Sequence, residues 1–185
     1  VARHPIFQRQ DMNIFSTAPL TYAQAALGGT VRINTVDGEV EYEVKPGTQT
    51  DTRIRLKGKG MPGVGGGEAG DLFLKVHVGA RPGFERKGMD VYTSAEIPFT
   101  TAVLGGEAVV QTLTGRVVCK INPGTQSGTK IRLKGKGIVS MKDAGRYGDQ
   151  YVTVQIDVPK NLSNEAKRKL KEFEAACRNG SRGAA

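Results

Sequence analysis

The chain of 185 residues has no tryptophan, two histidines and two cysteines. Each scarcity removes a class of chemistry. His4 and His77 lie far apart, and neither has a cysteine or an acid at metal-ligand spacing. His77 alternates with Val76 and Val78, as a water-facing strand residue would. Cys119 falls in an apolar alternating stretch, Cys177 in a charged tail, and there is no CxxC. A disulfide framework and a zinc site are therefore not expected, and a reducing compartment is. No serine sits in a nucleophile elbow. The segment GGGEAG (65–70) satisfies GxGxxG, but its glycines precede a strand pattern instead of joining a strand to a helix. No apolar run approaches the roughly 18 residues of a membrane span, and no signal peptide opens the chain. The first residue is Val rather than Met, which reads as a piece of a longer protein. The expectation is a protein that is not an enzyme and holds no cofactor or metal.

What is present is a repeat. Residues 46–61, PGTQTDTRIRLKGKGM, and residues 123–138, PGTQSGTKIRLKGKGI, agree at twelve of sixteen positions, at an offset of 77. The same offset relates HPIFQRQDMNIFS (4–16) to RPGFERKGMDVYT (81–93) and ALGG (26–29) to VLGG (103–106). GDLFLKV (70–76) matches GDQYVTV (148–154) with one residue inserted between. A period this long marks a duplicated domain, since solenoid repeats fall near about 20–50 residues. Net charge is +9, which favours polyanions at low salt without specifying one.

Both copies alternate apolar and polar residues in short runs, the signature of half-buried strands. Val31 to Ile33 and Val40 to Val44 flank an Asp37-Gly38 turn, a strong hairpin signal. Ala108 to Gln111 and Val117 to Ile121 repeat it around Thr114-Gly115. Ile54-Arg-Leu-Lys and Ile131-Arg-Leu-Lys place cations on one face, and Asp71–Val78 and Asp149–Ile156 close the copies. A short helix is expected after Thr21, stopping at Gly28, and another from Thr100 to Leu104. The tail differs: Ala166, Leu170, Phe173 and Cys177 form one apolar stripe on a charged helix. The fold expected is mainly β. Two tandem β-sandwiches, 1–80 and 81–160, each carry a short helix, and a C-terminal dimerisation helix and tail occupy 161–185.

HPIFQRQ, AALGG with the following Val-Asp-Gly, PGTQ…RLKGKGMP, GDLFLKVHV and GRYGDQYVTVQIDVPKNLS together resemble the C-terminal substrate-binding region of the DnaJ family of J-domain co-chaperones. The resemblance spans residues 4 to about 175. It implies two β-sandwiches joined by a short linker, 79–87, and paired as a homodimer through the extreme C-terminus at Leu170 and Phe173. It also implies capture of non-native client polypeptides and of the acidic tail of a DnaK-type ATPase chaperone, in the cytoplasm or an organelle matrix, with no membrane and no specific nucleic acid. The peptide pocket of the family's first sandwich maps onto Ala18, Leu20, Val31, Ile33 and Leu74, and Arg32 falls where a tail-binding cation stands. Copy two places Ile97 and Val109 or Val110 in the same positions. His4-Pro5-Ile6 lacks the Asp of the HPD motif, and CxxCxGxG is absent, so ATPase stimulation is not implied. Two other readings compete on the residues alone. One is a structural dimerisation module working only through its C-terminal helix. The other is a basic nucleic-acid-binding protein, for which Phe7, Phe15, Tyr22 and Phe73 form no cluster in the sequence.

Overall fold

The computed structural model describes residues 6–180, and the sequence duplication is a duplication of structure. Copy one runs β1 (Gln8–Gln10), β2 (Asn13–Leu20), α1 (Tyr22–Leu27), β3 (Gly29–Thr35), β4 (Gly38–Val44), β5 (Arg53–Leu56) and β6 (Leu72–Val78). Copy two repeats the order as β7 (Glu85–Lys87), β8 (Asp90–Pro98), α2 (Phe99–Leu104), β9 (Gly106–Thr112), β10 (Gly115–Ile121), β11 (Lys130–Leu133) and β12 (Gln150–Asp157). Helix α3 (Asn164–Gly180) follows. In each copy a four-stranded sheet (β1-β2-β6-β5, and β7-β8-β12-β11) faces a two-stranded hairpin (β3-β4, and β9-β10). The central pairing of each large sheet is parallel, with Ile14 opposite Leu72 and Val91 opposite Gln150. Two tandem β-sandwiches with short helices and a C-terminal helix are what the alternation predicts.

The local signals work as expected. Thr21 caps α1 reciprocally with Gln24: its hydroxyl accepts from the Gln24 N–H at 3.2 Å, and its own N–H donates to the Gln24 amide oxygen at 2.9 Å. Gly28 ends the helix at φ 75°. The Ile-Arg-Leu-Lys-Gly-Lys-Gly segment proves structural. Asp71 accepts from Arg55 Nε at 2.6 Å and from the Gly58 N–H at 2.9 Å, and Asp149 does the same with Arg132 Nε (2.6 Å) and the Gly135 N–H (2.8 Å). Each carboxylate thus clamps a glycine turn to the start of the closing strand.

The Gly58 N–H, followed by Arg55, holds the Asp71 carboxyl below its ordinary pKa, and the Gly135 N–H, followed by Arg132, does so for Asp149. A depressed folded-state pKa stabilises the fold above the unfolded value, near pH 4. That stability drains away as pH falls through the folded value. The double variant Asp71→Asn/Asp149→Asn is therefore expected to lose stability at pH 7 and to show a flatter decline on acidification below about pH 4. Thermal melts across that range check it.

The sandwiches meet through residues of the stretch expected as a linker. Residues 85–87 are strand, and the side chain of Arg86 reaches across to copy one. Its Nη1 donates to the Thr48 carbonyl at 2.7 Å, its Nη2 to the Gly47 carbonyl at 2.9 Å, and its Nε to the Gly88 carbonyl of its own turn at 2.9 Å. Gly47, at φ 84°, lies so close to the Val139 carbonyl that a Cβ would collide with it. Beside the arginine, Tyr22 and Ala26 of α1 pack with Val91, Ile138, Phe84 and Leu113 of copy two. The Tyr22 and Phe84 rings lie 6.3 Å apart. Burial pushes the Tyr22 hydroxyl pKa up, with Arg86 and Arg81 pulling against it, and that hydroxyl has no hydrogen-bond partner among the described residues. Arg86→Ala strands two carbonyls beneath the second sandwich and is expected to cost about 2–4 kcal/mol in urea unfolding. Lysine, lacking the planar fork, is not expected to restore it.

Candidate functional site

Five of the six residues assigned to the peptide site converge on one place. Ala18 and Leu20 of β2, Leu74 of β6, and Val31 and Ile33 of β3 all belong to the core of copy one, between its two layers. All five are buried, with Val31 only 7% exposed. They line a filled slot, closed off by the half-buried Tyr42, Leu56 and Val78. Arg32 points the other way, exposed on the outer face of β3, with its Nε 3.6 Å from Glu41. That pairing follows from the turn: Thr35 lies opposite Gly38, so Arg32 lies opposite Glu41. The Asp-Gly register already encodes this partner, although the sequence reading does not extract it.

The slot sits under an open edge. Strand β3 pairs only with β4 among the described strands. In an antiparallel pair every second residue turns its N–H and C=O away from the partner, so β3 presents alternate backbone groups outward. An unpaired edge beside an apolar layer suits an added extended strand. Among the described residues no group of three or more His, Cys, Asp or Glu could hold a metal ion, and no helix is long and apolar enough to cross a membrane. His77 is an exposed strand residue, and His4 lies outside the described residues.

The model of the DnaJ C terminal domain matches residues 1–79 and again 53–159. This chain belongs to the DnaJ C-terminal domain family. Similar curated proteins are each called "Chaperone protein DnaJ". One from Lachnospira eligens is 42% identical over 137 residues, 74% of this chain and 36% of the relative. One from Burkholderia thailandensis is 43% identical over 141 residues, 76% and 37%. One from Clostridium novyi is 43% identical over 148 residues, 80% and 38%. The chain thus spans less than two-fifths of the length of these relatives. The domain is not an enzyme.

Within this DnaJ C-terminal domain the two copies differ at the outer hairpin face. Where copy one pairs Arg32 with Glu41, copy two pairs Val109 with Val118, exposed by 63% and 59%. Of the alternatives for copy two, Ile97 and Val110 are core and Val109 is surface. The aromatic residues that look scattered in the sequence come together in part. Phe15 stacks on Phe73 at 5.2 Å because parallel pairing sets them side by side, and Arg55 lies 5.7 Å over the Phe73 ring. Tyr92 and Tyr151 repeat the stack in copy two at 5.2 Å. On α3, Leu170 and Phe173 lie exposed beside Cys177 and line an open hollow of about 520 Å³ with Lys167, Lys171 and Glu174.

Burial separates the site residues by expected cost. Val31→Asp places an unpaired charge in the core and is expected to destabilise copy one by about 3 kcal/mol or more. Arg32→Ala removes an exposed ion pair and is expected to change stability by no more than about 0.5 kcal/mol. Chemical denaturation of both variants checks the contrast.

Proposed function

We propose that this chain is the polypeptide-binding part of a DnaJ-type chaperone. The observation that supports it most is the unpaired edge of β3 lying over the apolar slot of copy one. An extended segment of a non-native client adds there as a further strand, held by backbone hydrogen bonds. Its alternate side chains press against the layer of Ala18, Leu20, Val31, Ile33 and Leu74. Filled as it is, the slot accepts a side chain only where the β3-β4 hairpin lifts from the larger sheet. Arg32 serves the second ligand, the acidic tail of a DnaK-type ATPase chaperone. Its present partner Glu41 is exposed, so an incoming carboxylate can take its place at little cost. Glu39, Glu41 and Glu43 of β4 share the exposed face with Arg32, so the tail's carboxylate must displace Glu41 instead of adding beside it. Two chains pair through the stripe of Leu170 and Phe173 on α3, setting two client sites in one cytoplasmic homodimer.

Two labelled peptides, one extended and apolar and one ending in acidic residues, are titrated into wild type and Arg32→Glu. The acidic peptide is expected to bind wild type and to lose about tenfold or more in affinity to the variant. The apolar peptide is expected to bind both alike, and wild type to delay aggregation of a denatured client. If wild type binds neither peptide and leaves aggregation unchanged, the reading fails.

A further inference from the structure

The outer face of the second hairpin, β9-β10, carries a pattern that the first hairpin lacks. Alternate residues of each strand point outward, and the register sets them in three rungs: Glu107 opposite Lys120, Val109 opposite Val118, and Gln111 opposite Arg116. All six are exposed, the two valines by 63% and 59%. Two β-branched apolar residues side by side in water, bounded at both ends by a polar rung, have the anatomy of a small interface centre with its rim. The matching face of β3-β4 sets Thr30 opposite Glu43, Arg32 opposite Glu41 and Asn34 opposite Glu39, with no apolar residue among them.

The polar rungs are not satisfied within the hairpin. Glu107 and Lys120 hold directly opposite positions, where cross-strand charges ordinarily pair, as Arg32 does with Glu41 at 3.6 Å. Among the described residues neither of them forms an ion pair, and nor does Arg116. The Gln111 amide nitrogen donates to the Thr112 and Gly115 carbonyls, each at 3.2 Å, which leaves its oxygen to accept. Strand β9 therefore offers an anion and an acceptor, and β10 two cations, on either side of an apolar centre. The two strands of this face are complementary to each other.

We propose that the outer face of β9-β10 packs against the same face of a second copy of this chain. A two-fold axis parallel to the strands keeps every rung at its own height and lays β9 over β10 of the second copy. Val109 then covers Val118, Glu107 meets Lys120 and Gln111 meets Arg116, each contact occurring twice by symmetry. An axis across the strands sets Lys120 over Arg116 instead, and like charge rejects it. The first hairpin is a poor occupant, because its central Arg32–Glu41 rung would lose water over the valines with nothing to pair it. Six side chains fall well short of the roughly 20–30 residues a side of a standard interface, so the contact is weak and forms at high local concentration. The inference rests neither on peptide binding nor on pairing through α3.

Sedimentation velocity over a concentration series tests it in a Leu170→Asp/Phe173→Asp background, which removes the exposed apolar stripe of α3. This background chain is expected to pass from monomer to dimer as concentration rises and to stop there, because an isologous contact closes at two. Adding Glu107→Lys, or separately Lys120→Glu, turns both symmetric charge contacts repulsive and is expected to weaken the dimer by about tenfold or more. An equal mixture of those two variants restores opposite charges at both contacts and is expected to dimerise about as well as the parent. Both positions are exposed, so each variant is expected to melt near the parent temperature, read by circular dichroism. A background chain that stays monomeric at every concentration overturns the proposal, as does a mixture that associates no better than its components. A monomeric chain that binds an extended apolar peptide, and loses it with Val109→Lys, overturns it in favour of a client-binding face.

Discussion

The arrangement of the molecule hangs on the guanidinium of Arg86. One planar fork joins two carbonyls of the loop at Gly47 and Thr48 to the first strand of the second sandwich, and half-burial of the cation raises the importance of both bonds. Burial lowers the Arg86 pKa, but guanidinium stays charged across the physiological range, so the joint has no pH switch. The apolar cluster of Tyr22, Ala26, Phe84, Val91 and Ile138 supplies contact area around it. The fork supplies direction, and it fixes which way the β3 edge of copy one faces relative to copy two.

Duplication explains why the chain spends so many identical residues on turns. The Asp71 and Asp149 clamps, the two Pro-Gly-Thr loops and the parallel central pairings recur because each copy must solve the same closure problem. A strand near the start of the copy has to meet the strand at its end. Differences between copies then mark freedom or use. Leu72 in the first core is Gln150 in the second, fully buried, its amide donating to Thr93 and to the Gln111 carbonyl while its oxygen has no partner among the described residues. A polar core residue of this kind costs stability that leucine would not, and nothing in the structure explains the exchange. The change from Arg32–Glu41 to Val109–Val118 has a clearer physical meaning. It turns one hairpin face from charged to apolar, so the two sandwiches do not present the same chemistry to a strand added at their edges.

Membership in the DnaJ C-terminal domain family agrees with the prominence of edges and faces in this fold. Binding by backbone pairing needs no particular side-chain sequence in the ligand, which suits recognition of varied extended polypeptide. The buried state of Val31, Ile33 and Leu74 qualifies that picture. Apolar layers under an open edge are held by packing within copy one, and access to them is a matter of how readily a two-stranded hairpin lifts from its sheet.

By itself the sequence determined the duplication, the strand periodicity, the Asp37-Gly38 hairpin, the Thr21 N-cap and the apolar stripe of the last helix. These are local: each depends on backbone preference or face alternation over a few residues, and Pro, Gly and β-branched side chains signal them directly. It also carried Ala18, Leu20, Val31, Ile33 and Leu74 as one group through family resemblance, and the fold does gather them. Only the tertiary structure decided that those five are core while Arg32 is surface, that Phe15 stacks on Phe73, and that residues 85–87 are a strand whose arginine grips a loop about forty residues earlier. Such contacts depend on which distant strands pair and at what register. Loop-closure entropy changes slowly with chain length, so sequence spacing alone leaves many partners nearly equal, and packing chooses among them.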